Sequence, residues 1–262
     1  MNDHQKSSAG KYNKFGTFGG VFTPAILTIL GVIMFMRANF VVGQAGILGA
    51  LAILVIAKSI TFTTSLSIAA ISTNTRMEGG GSYFLISRVL GPEFGGAIGI
   101  ALFLALALSV PFYILGFAEA LVRSVPVLEP HFRLITMTTA TVLFLIAYFG
   151  AGWAIKTQFL IMAFLLLAIT AFLGGAVQSF SIDTFLANLH ASYTSTGVMS
   201  GNGAGTAEMF TFWSIFALYF PAVTGIDAGV NMSGDLQDPA KSIPHGTFAA
   251  VGVGFLVYAA QI

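Results

Sequence analysis

Four residues in the middle of one apolar stretch have types and spacing that could bind an ion. Pro221, Thr224, Gly225 and Asp227 follow one another closely within residues 210–247. Proline removes a backbone hydrogen-bond donor and clashes with the preceding turn, while glycine adopts dihedral angles that other residues avoid. An interrupted helix is tolerated in hydrocarbon only where it lines a cavity or is buried in protein. The stretch therefore predicts a broken helix at a binding site, and the acid at the break strengthens that prediction.

The first apolar stretch of the chain carries a similar interruption. Pro24 and Gly31 lie near its middle, as Pro221 and Gly225 do in the later stretch. Two breaks separated by five spans would occupy equivalent positions in an inverted repeat, whose broken helices hold substrate between them. Since glycine and proline are common in transmembrane helices, the two breaks alone do not establish a repeat.

The composition indicates that these breaks are positioned by helices within a membrane. Of 262 residues, 56% are hydrophobic and 8% are charged, whereas soluble domains carry about 25% charged residues. Several apolar runs reach the roughly 20 residues that cross a bilayer. We therefore predict an all-α integral membrane protein. A net charge of +1 without a basic stripe gives no indication of nucleic acid binding, and the absence of cysteine excludes thiol chemistry.

Seven spans are predicted from hydropathy, after a polar cytoplasmic tail at residues 1–18. They lie at about 20–42, 46–70, 95–122, 132–150, 155–177 and 208–233, with span 7 starting near Thr247. The distribution of Lys and Arg near the span ends places the N-terminus inside and the loop 178–207 outside. Because span 7 is still apolar at Ile262, we expect the chain to be a fragment of a longer transporter.

Several strings carry a resemblance to a known family. They are G-V-I-M-F-M-R, V-G-Q-A-G-I, G-G-G-S-Y-F-L-I-S-R-V-L-G-P-E-F-G-G-A-I-G, G-F-A-E and F-P-A-V-T-G-I-D-A-G-V-N-M-S-G-D-L-Q-D-P-A-K-S-I-P-H-G-T. From Phe15 onward the chain resembles the cation–chloride cotransporters, which belong to the amino acid–polyamine–organocation superfamily. The resemblance implies a LeuT-like fold of two inverted five-helix repeats. Residues 19–177 would form the first repeat, 178–207 an extracellular loop and 208–262 the start of the second repeat.

The same resemblance implies one cation site and two anion sites. The potassium ligands would be the backbone oxygens of Thr28 and Ile29, the Tyr113 hydroxyl, the Pro221 carbonyl and the Thr224 hydroxyl. Chloride would be bound by backbone amides, which attract anions at the start of a half-helix. The first anion site would use Gly31, Val32 and Ile33, and the second would use Gly225, Ile226 and Asp227.

Two of these positions and Lys58 in span 2 depart from the family pattern, and two ligands have structural alternatives. The family often has asparagine at the position of Thr28, usually an apolar residue at Asp227 and an uncharged one at Lys58. Asp227 and Lys58 are therefore candidates for coupling. Asp227 could cap the second half of span 6, pair with Lys58, or bind a cation, a proton or a substrate ammonium group. Tyr113 could be only a packed aromatic residue, and Thr224 could only bond a freed carbonyl.

The leading hypothesis is an electroneutral symporter that moves K⁺ and/or Na⁺ with Cl⁻ by alternating access in the plasma membrane. One alternative is a proton- or sodium-coupled amino acid permease of the same superfamily, in which Asp227 would hold an ammonium group. The other is a non-transporting truncated membrane subunit. No nucleophile–base pair or transition-metal spacing indicates an enzyme, and no cofactor is expected. The expected partners are K⁺, Cl⁻, either Na⁺ or H⁺, and the lipid bilayer, with a homodimer left open.

Overall fold

The computed structural model describes residues 14–75, 77–148, 151–194 and 209–262. Residues 1–13 of the predicted tail and 195–208 of the predicted loop lie outside these ranges. Within them, six helical stretches are long and apolar enough to cross a membrane. The first, Phe18–Asn74, has 57 residues and accounts for two of the seven predicted spans. The predicted all-α architecture is confirmed, and no β-strand occurs among the described residues.

Span 1 is broken where the sequence predicted. A π-helical turn, Phe18–Phe22, leads into helix α1, Thr23–Ile29. The helix stops because Leu30 leaves helical geometry, with ψ at +44°, and Gly31 is extended, with ψ at −164°. Helix α2 then begins at Val32, so two half-helices meet end to end inside the span.

Helix α2, Val32–Asn74, contains the second half of span 1 and all of span 2. The two parts are separated at Gly46, where φ is +68° and ψ is 171°. Only glycine suits this corner, because a Cβ atom would lie 2.4 Å from the carbonyl carbon of His190. The amide of Ile47 donates a 2.8 Å hydrogen bond to the carbonyl of Asn188, which fastens the loop after span 5 to the corner.

Spans 3 to 5 follow the predicted boundaries closely. They are helices α4, Pro92–Ser124, α5, Phe132–Tyr148, and α6, Ala151–Gln178. A short helix α3, Gly81–Leu90, lies in the polar link before them, and α7, Ile182–Ala187, lies in the loop after them. These spans expose much apolar surface, including Phe103 at 70% and Phe144 at 67%, as expected of helices that face an apolar environment.

Span 6 is also broken, and its parts are short. Helix α8, Phe212–Tyr219, starts at a capping box formed by Thr211 and Ser214. A 3-10 turn, Phe220–Val223, follows, and the chain then passes through Gly225 at φ +101°. Helix α9, Asp227–Val230, has only four residues.

Span 7 is helix α10, Pro239–Gln261, which begins earlier than the predicted start near Thr247. The Asp238 side chain accepts a hydrogen bond from the Lys241 amide at 3.2 Å, and Pro239 occupies the first turn. These are standard start signals for a helix. Hydropathy placed the start too late because the first turns are polar, although they are helical.

The buried core joins spans 1, 2, 6 and 7. Its fully covered side chains come from all four spans and include Val21, Ile29, Ile53, Leu54, Ile215, Val223, Ile243 and Tyr258. Helix α10 packs along α2 and also contacts α1. The two breaks are thus enclosed by the best-packed part of the structure.

Candidate functional site

The two helix breaks lie in direct contact. A Cβ atom on Gly225 would lie 2.4 Å from Cγ2 of Thr28 and 2.8 Å from its Cβ. The backbone of span 6 therefore approaches span 1 as closely as a residue without a side chain permits. This contact places the candidate cation and anion ligands of span 1 next to those of span 6.

The hydroxyl groups of Thr28 and Thr224, one at each helix break, donate their hydrogens to the backbone. The Thr224 hydroxyl donates to the Pro221 carbonyl at 2.7 Å, and the Thr28 hydroxyl donates to the Pro24 carbonyl at the same distance. The bond to a freed carbonyl that was considered for Thr224 is thus present. It fixes two of the proposed cation ligands side by side, and the hydroxyl oxygen keeps its lone pairs for a further interaction.

A cavity of about 740 Å³ collects part of the predicted site. Its lining includes Thr28, Gly31 and Val32 from the span 1 break and Tyr113 from α4. Tyr113 is 41% exposed and contacts the Phe112 ring at 5.7 Å between centroids. Its side chain is therefore at a cavity wall and is not enclosed in the core. In the described structure, the remaining candidates do not line this cavity: Ile29, Ile33, Pro221, Thr224, Gly225, Ile226 and Asp227.

The first anion candidate is the start of α2. The first amides of a helix have no partner within the helix, and they face outward at its N-terminus. Gly31 has little space for a side chain, because a Cβ atom would lie 3.0 Å from the Thr28 carbonyl oxygen. Gly31 and Val32 line the cavity, whereas Ile33 does not. Two of the three implied amide donors therefore belong to residues at the cavity wall.

The second anion candidate is weaker in structural terms. Helix α9 has four residues, so its dipole is small, and the Ala228 amide already donates to the Gly225 carbonyl at 3.2 Å. Asp227 is the first residue of α9 and makes no side-chain cap, because the residue before the helix is Ile226. The interpretation of Asp227 as the cap of this half-helix is therefore wrong.

The Asp227 carboxylate faces a different cavity. This cavity has a volume of about 490 Å³ and is lined by Asp227, by the hydroxyl residues Thr64, Ser67 and Ser82, and by apolar side chains. Ser82, in α3, donates a 3.3 Å hydrogen bond to Oδ1 of Asp227. The carboxylate is thus directed toward α3 and span 2, away from the cavity that contains Tyr113.

Lys58 does not pair with Asp227. No ion pair within 4.0 Å joins them in the described part of the chain, and the Lys58 amine has no hydrogen-bond partner there. Lys58 is 5% exposed, and its Nζ lies 5.5 Å from the centroid of the Tyr258 ring. Of the alternatives considered for Asp227, pairing with Lys58 is not found, because Lys58 faces α10 whereas Asp227 faces α3.

Sequence reasoning missed three polar residues near the breaks. The Tyr258 hydroxyl lies within hydrogen-bond distance of the carbonyls of both Ile29 and Ala222, and Ser82 contacts Asp227. Gln158, in α6, lines the Tyr113 cavity, and its buried Oε1 has no hydrogen-bond partner among the residues that the structure describes. A polar residue inside an apolar span was the available signal for Gln158 and Tyr258, since such residues usually bond a neighbour or line a cavity.

Comparisons with known proteins support the resemblance seen in the motifs. Solute carrier family 12 member 2 of Squalus acanthias is 41% identical over 263 residues, and that of Mus musculus is 40% identical over 255 residues. Each alignment covers 94% of this chain and 21% of the relative. Solute carrier family 12 member 1 of Oryctolagus cuniculus is 37% identical over 98% of this chain and 24% of the relative. The chain therefore spans about a fifth to a quarter of the length of these curated relatives.

The predicted resemblance to cation–chloride cotransporters is confirmed at the level of family, since these relatives belong to solute carrier family 12. The helices are those of an integral, multi-pass membrane protein. The family model described as amino acid permease matches residues 20–261, which is nearly the whole sequence. By this match, the chain belongs to the amino acid permease family.

Proposed function

We propose that this chain forms part of a secondary transporter that moves potassium, sodium or both together with chloride by alternating access in the plasma membrane. The motifs in both broken spans and the relatives in solute carrier family 12 support this proposal. Transport is electroneutral in this proposal, because each cation crosses with a chloride ion. Association of two copies stays a prediction, which chemical cross-linking in native membranes would test.

One observation carries the proposal. The cavity of about 740 Å³ is lined by Thr28 and Tyr113, by Gly31 just before α2 and by Val32, the first residue of α2. Neutral oxygen atoms suit a large monovalent cation, and the free amides at a helix N-terminus suit an anion. A cation and a chloride ion bound side by side would neutralise each other, which is the physical basis for moving them together.

The proposed potassium ligands come from three spans, as the resemblance implies. Thr28 and Ile29 would contribute backbone oxygens, Tyr113 and Thr224 hydroxyls, and Pro221 a carbonyl. Thr224 and Pro221 already contact each other, although neither lines the cavity. Gly225, next to Thr224, packs against Thr28, so the proposed span 6 ligands adjoin those of span 1. Chloride would bind at Gly31, Val32 and Ile33, with a second site at Gly225, Ile226 and Asp227.

Rubidium uptake into proteoliposomes tests this proposal directly. The purified full-length protein would be reconstituted in vesicles that contain either chloride or gluconate. Rubidium uptake would be measured with and without a membrane potential imposed by a proton ionophore and a pH gradient, since such an ionophore does not carry rubidium. We expect chloride-dependent uptake that does not change with membrane potential. Uptake that is equal in gluconate would contradict cation–chloride symport.

A second function is favoured by one observation, the separate cavity that contains Asp227 and Ser82. A carboxylate with neighbouring hydroxyls can bind a substrate ammonium group, as an amino acid permease would require. The same vesicles would be supplied with radiolabelled amino acids under a sodium or proton gradient. Gradient-driven amino acid uptake that is lost in Asp227→Asn, without chloride-dependent rubidium uptake, would support the permease instead.

A further inference from the structure

We propose that Tyr258 is a positioning residue for the cation site: its hydroxyl holds the backbone carbonyls of both helix breaks at a fixed separation, and the Lys58 ammonium group holds its ring. This inference rests on the proposed function, because Ile29 is one of the proposed cation ligands. It adds a residue of span 7 and a residue of span 2 to a site that the resemblance assigns to spans 1, 3 and 6.

The hydroxyl of Tyr258 connects the two breaks. Its oxygen lies 2.6 Å from the carbonyl oxygen of Ile29, the last residue of α1. It lies 2.9 Å from the carbonyl oxygen of Ala222, in the 3-10 turn of span 6. Carbonyls at helix ends lack a partner within the helix, so an outside donor fixes their direction. The single hydrogen of this hydroxyl is shared between the two carbonyls, so one group contacts a carbonyl in each broken span.

The ring of Tyr258 is held on two sides. The Lys58 Nζ lies 5.5 Å from its centroid, and the Tyr219 ring meets it edge-on at 5.8 Å between centroids. Tyr258 is completely buried, as is nearly all of Tyr219. A cation over an aromatic face attracts it electrostatically, most strongly where water is excluded. The ring therefore has a fixed position from which its hydroxyl reaches both carbonyls.

Gly254 provides the space in which the Lys58 amine lies. A Cβ atom on Gly254 would be 3.2 Å from Lys58 Nζ and 2.8 Å from Cγ2 of Ile29. The amine has no hydrogen-bond partner among the described residues, so the Tyr258 ring is the charged group's main favourable contact there. Lys58, Gly254, Tyr258 and Ile29 thus form one contact chain from span 2 through span 7 to the cation site.

This arrangement bears on ion selectivity. The number, field strength and separation of coordinating carbonyls decide which monovalent cation a site prefers. A carbonyl that accepts a hydrogen bond offers less electron density to a cation and is held in direction. Loss of the Tyr258 hydroxyl should let the Ile29 and Ala222 carbonyls move independently. The preference for rubidium over sodium should therefore fall, while binding of chloride at the α2 amides should be affected less.

The test compares Tyr258→Phe with Tyr219→Phe in the full-length protein. Both changes remove one hydroxyl from a buried ring, but the Tyr219 hydroxyl has no hydrogen-bond partner in the described structure. We expect Tyr258→Phe to raise the rubidium concentration for half-maximal uptake at least fivefold and to alter inhibition by sodium and caesium. The chloride concentration for half-maximal uptake should stay within twofold, and Tyr219→Phe should resemble the parent protein in all three measurements.

Lys58→Met provides a second variant, since it keeps an unbranched side chain but removes the charge on the ring. It should shift the rubidium-to-sodium preference in the same direction as Tyr258→Phe, even if the latter folds poorly. If both variants kept the parent selectivity, the positioning role would be overturned. The parent protein distinguishes failure of the proposed function from failure of the positioning role. If the parent protein showed no chloride-dependent rubidium uptake, the proposed function would be rejected and the positioning role would not. In that case, the rubidium-induced rise in melting temperature, compared in the same variants, would test the positioning role by binding.

Discussion

The side chain of Thr28 occupies the space that a Cβ atom on Gly225 would need. The two residues belong to different broken spans. A Cβ atom on Gly225 would lie 2.4 Å from Thr28 Cγ2 and 2.8 Å from Thr28 Cβ, and the Cβ of Thr28 cannot withdraw without moving α1. Gly225 also has φ at +101°, a region that residues with side chains rarely adopt. Both the packing of the breaks and the local backbone therefore depend on the absence of a side chain at this position.

Replacing Gly225 with alanine should abolish most transport. The backbone conformation would cost about 1–3 kcal/mol for a residue with a side chain, and the contact with Thr28 would add to it. Rubidium uptake per molecule at the membrane surface is the measurement. Gly252→Ala is the matched control, because a Cβ atom on Gly252 meets nothing within 4 Å. Equal loss in both variants would show that the effect is not specific to the break.

Removing a hydroxyl ligand should weaken cation dependence. Tyr113→Phe or Thr224→Val would each remove one neutral oxygen, at a cost of roughly 1–3 kcal/mol, or about a tenfold to hundredfold loss of affinity. The rubidium concentration for half-maximal uptake measures this loss. Thr141→Val is a suitable control for Thr224, since its hydroxyl makes the same kind of backbone bond, to Met137, on span 4. Unchanged rubidium dependence in both ligand variants would reject the assignment.

Removing the charge of Asp227 should change how transport depends on pH. An ionised carboxylate about 5 Å from a bound chloride ion would repel it by roughly 3 kcal/mol at an effective dielectric constant of 20. Asp227→Leu should therefore reduce the pH sensitivity of uptake and strengthen chloride dependence. Ser82→Ala, which removes the hydrogen bond to Oδ1 but keeps the charge, should retain pH sensitivity. If Asp227→Leu left both the pH sensitivity and the chloride dependence of uptake unchanged, the carboxylate would have no coupling role.

The topology predicted from basic residues can be tested by labelling, because the chain contains no cysteine. Glu93, in the first turn of α4, and Ser181, just before α7, are exposed and lie at opposite predicted sides of the membrane. In intact cells, a membrane-impermeant maleimide should label Ser181→Cys but not Glu93→Cys. Labelling of Glu93→Cys should appear only after permeabilisation. The reverse pattern would invert the assigned orientation.

Hydropathy and backbone chemistry were sufficient to predict the spans and both breaks. The apolar runs have the length that a bilayer imposes, and Gly31 and Gly225 lie where the helices stop. The start of span 7 was misplaced because hydropathy does not register a polar first turn such as that capped by Asp238. The start of such a helix is recognised from its capping residue and not from hydropathy.

The partners of side chains were less predictable than the helices that carry them. Pairing of Asp227 with Lys58 followed from the rarity of intramembrane charges, but the faces of span 2 and α9 direct them to different neighbours. Tyr258 and Ile29 are 229 residues apart in the sequence, so their contact cannot be predicted from local sequence periodicity. Only the packing of α10 on α1 and α2 brings these residues together.

The burial of Lys58 against Tyr258 has a consequence for how the protein is made. Span 2 is synthesised and enters the membrane well before the residues of α10 exist. A lysine near the middle of a span costs about 2.5–3.5 kcal/mol on insertion, which neighbouring apolar residues at roughly 0.3–0.6 kcal/mol each must offset. Lys58 therefore enters the bilayer without its aromatic contact, and its amine becomes enclosed only when span 7 arrives. The closing of span 7 onto span 2 therefore follows the insertion of span 2, and it encloses an amine-bearing side chain that is only 5% exposed in the folded structure.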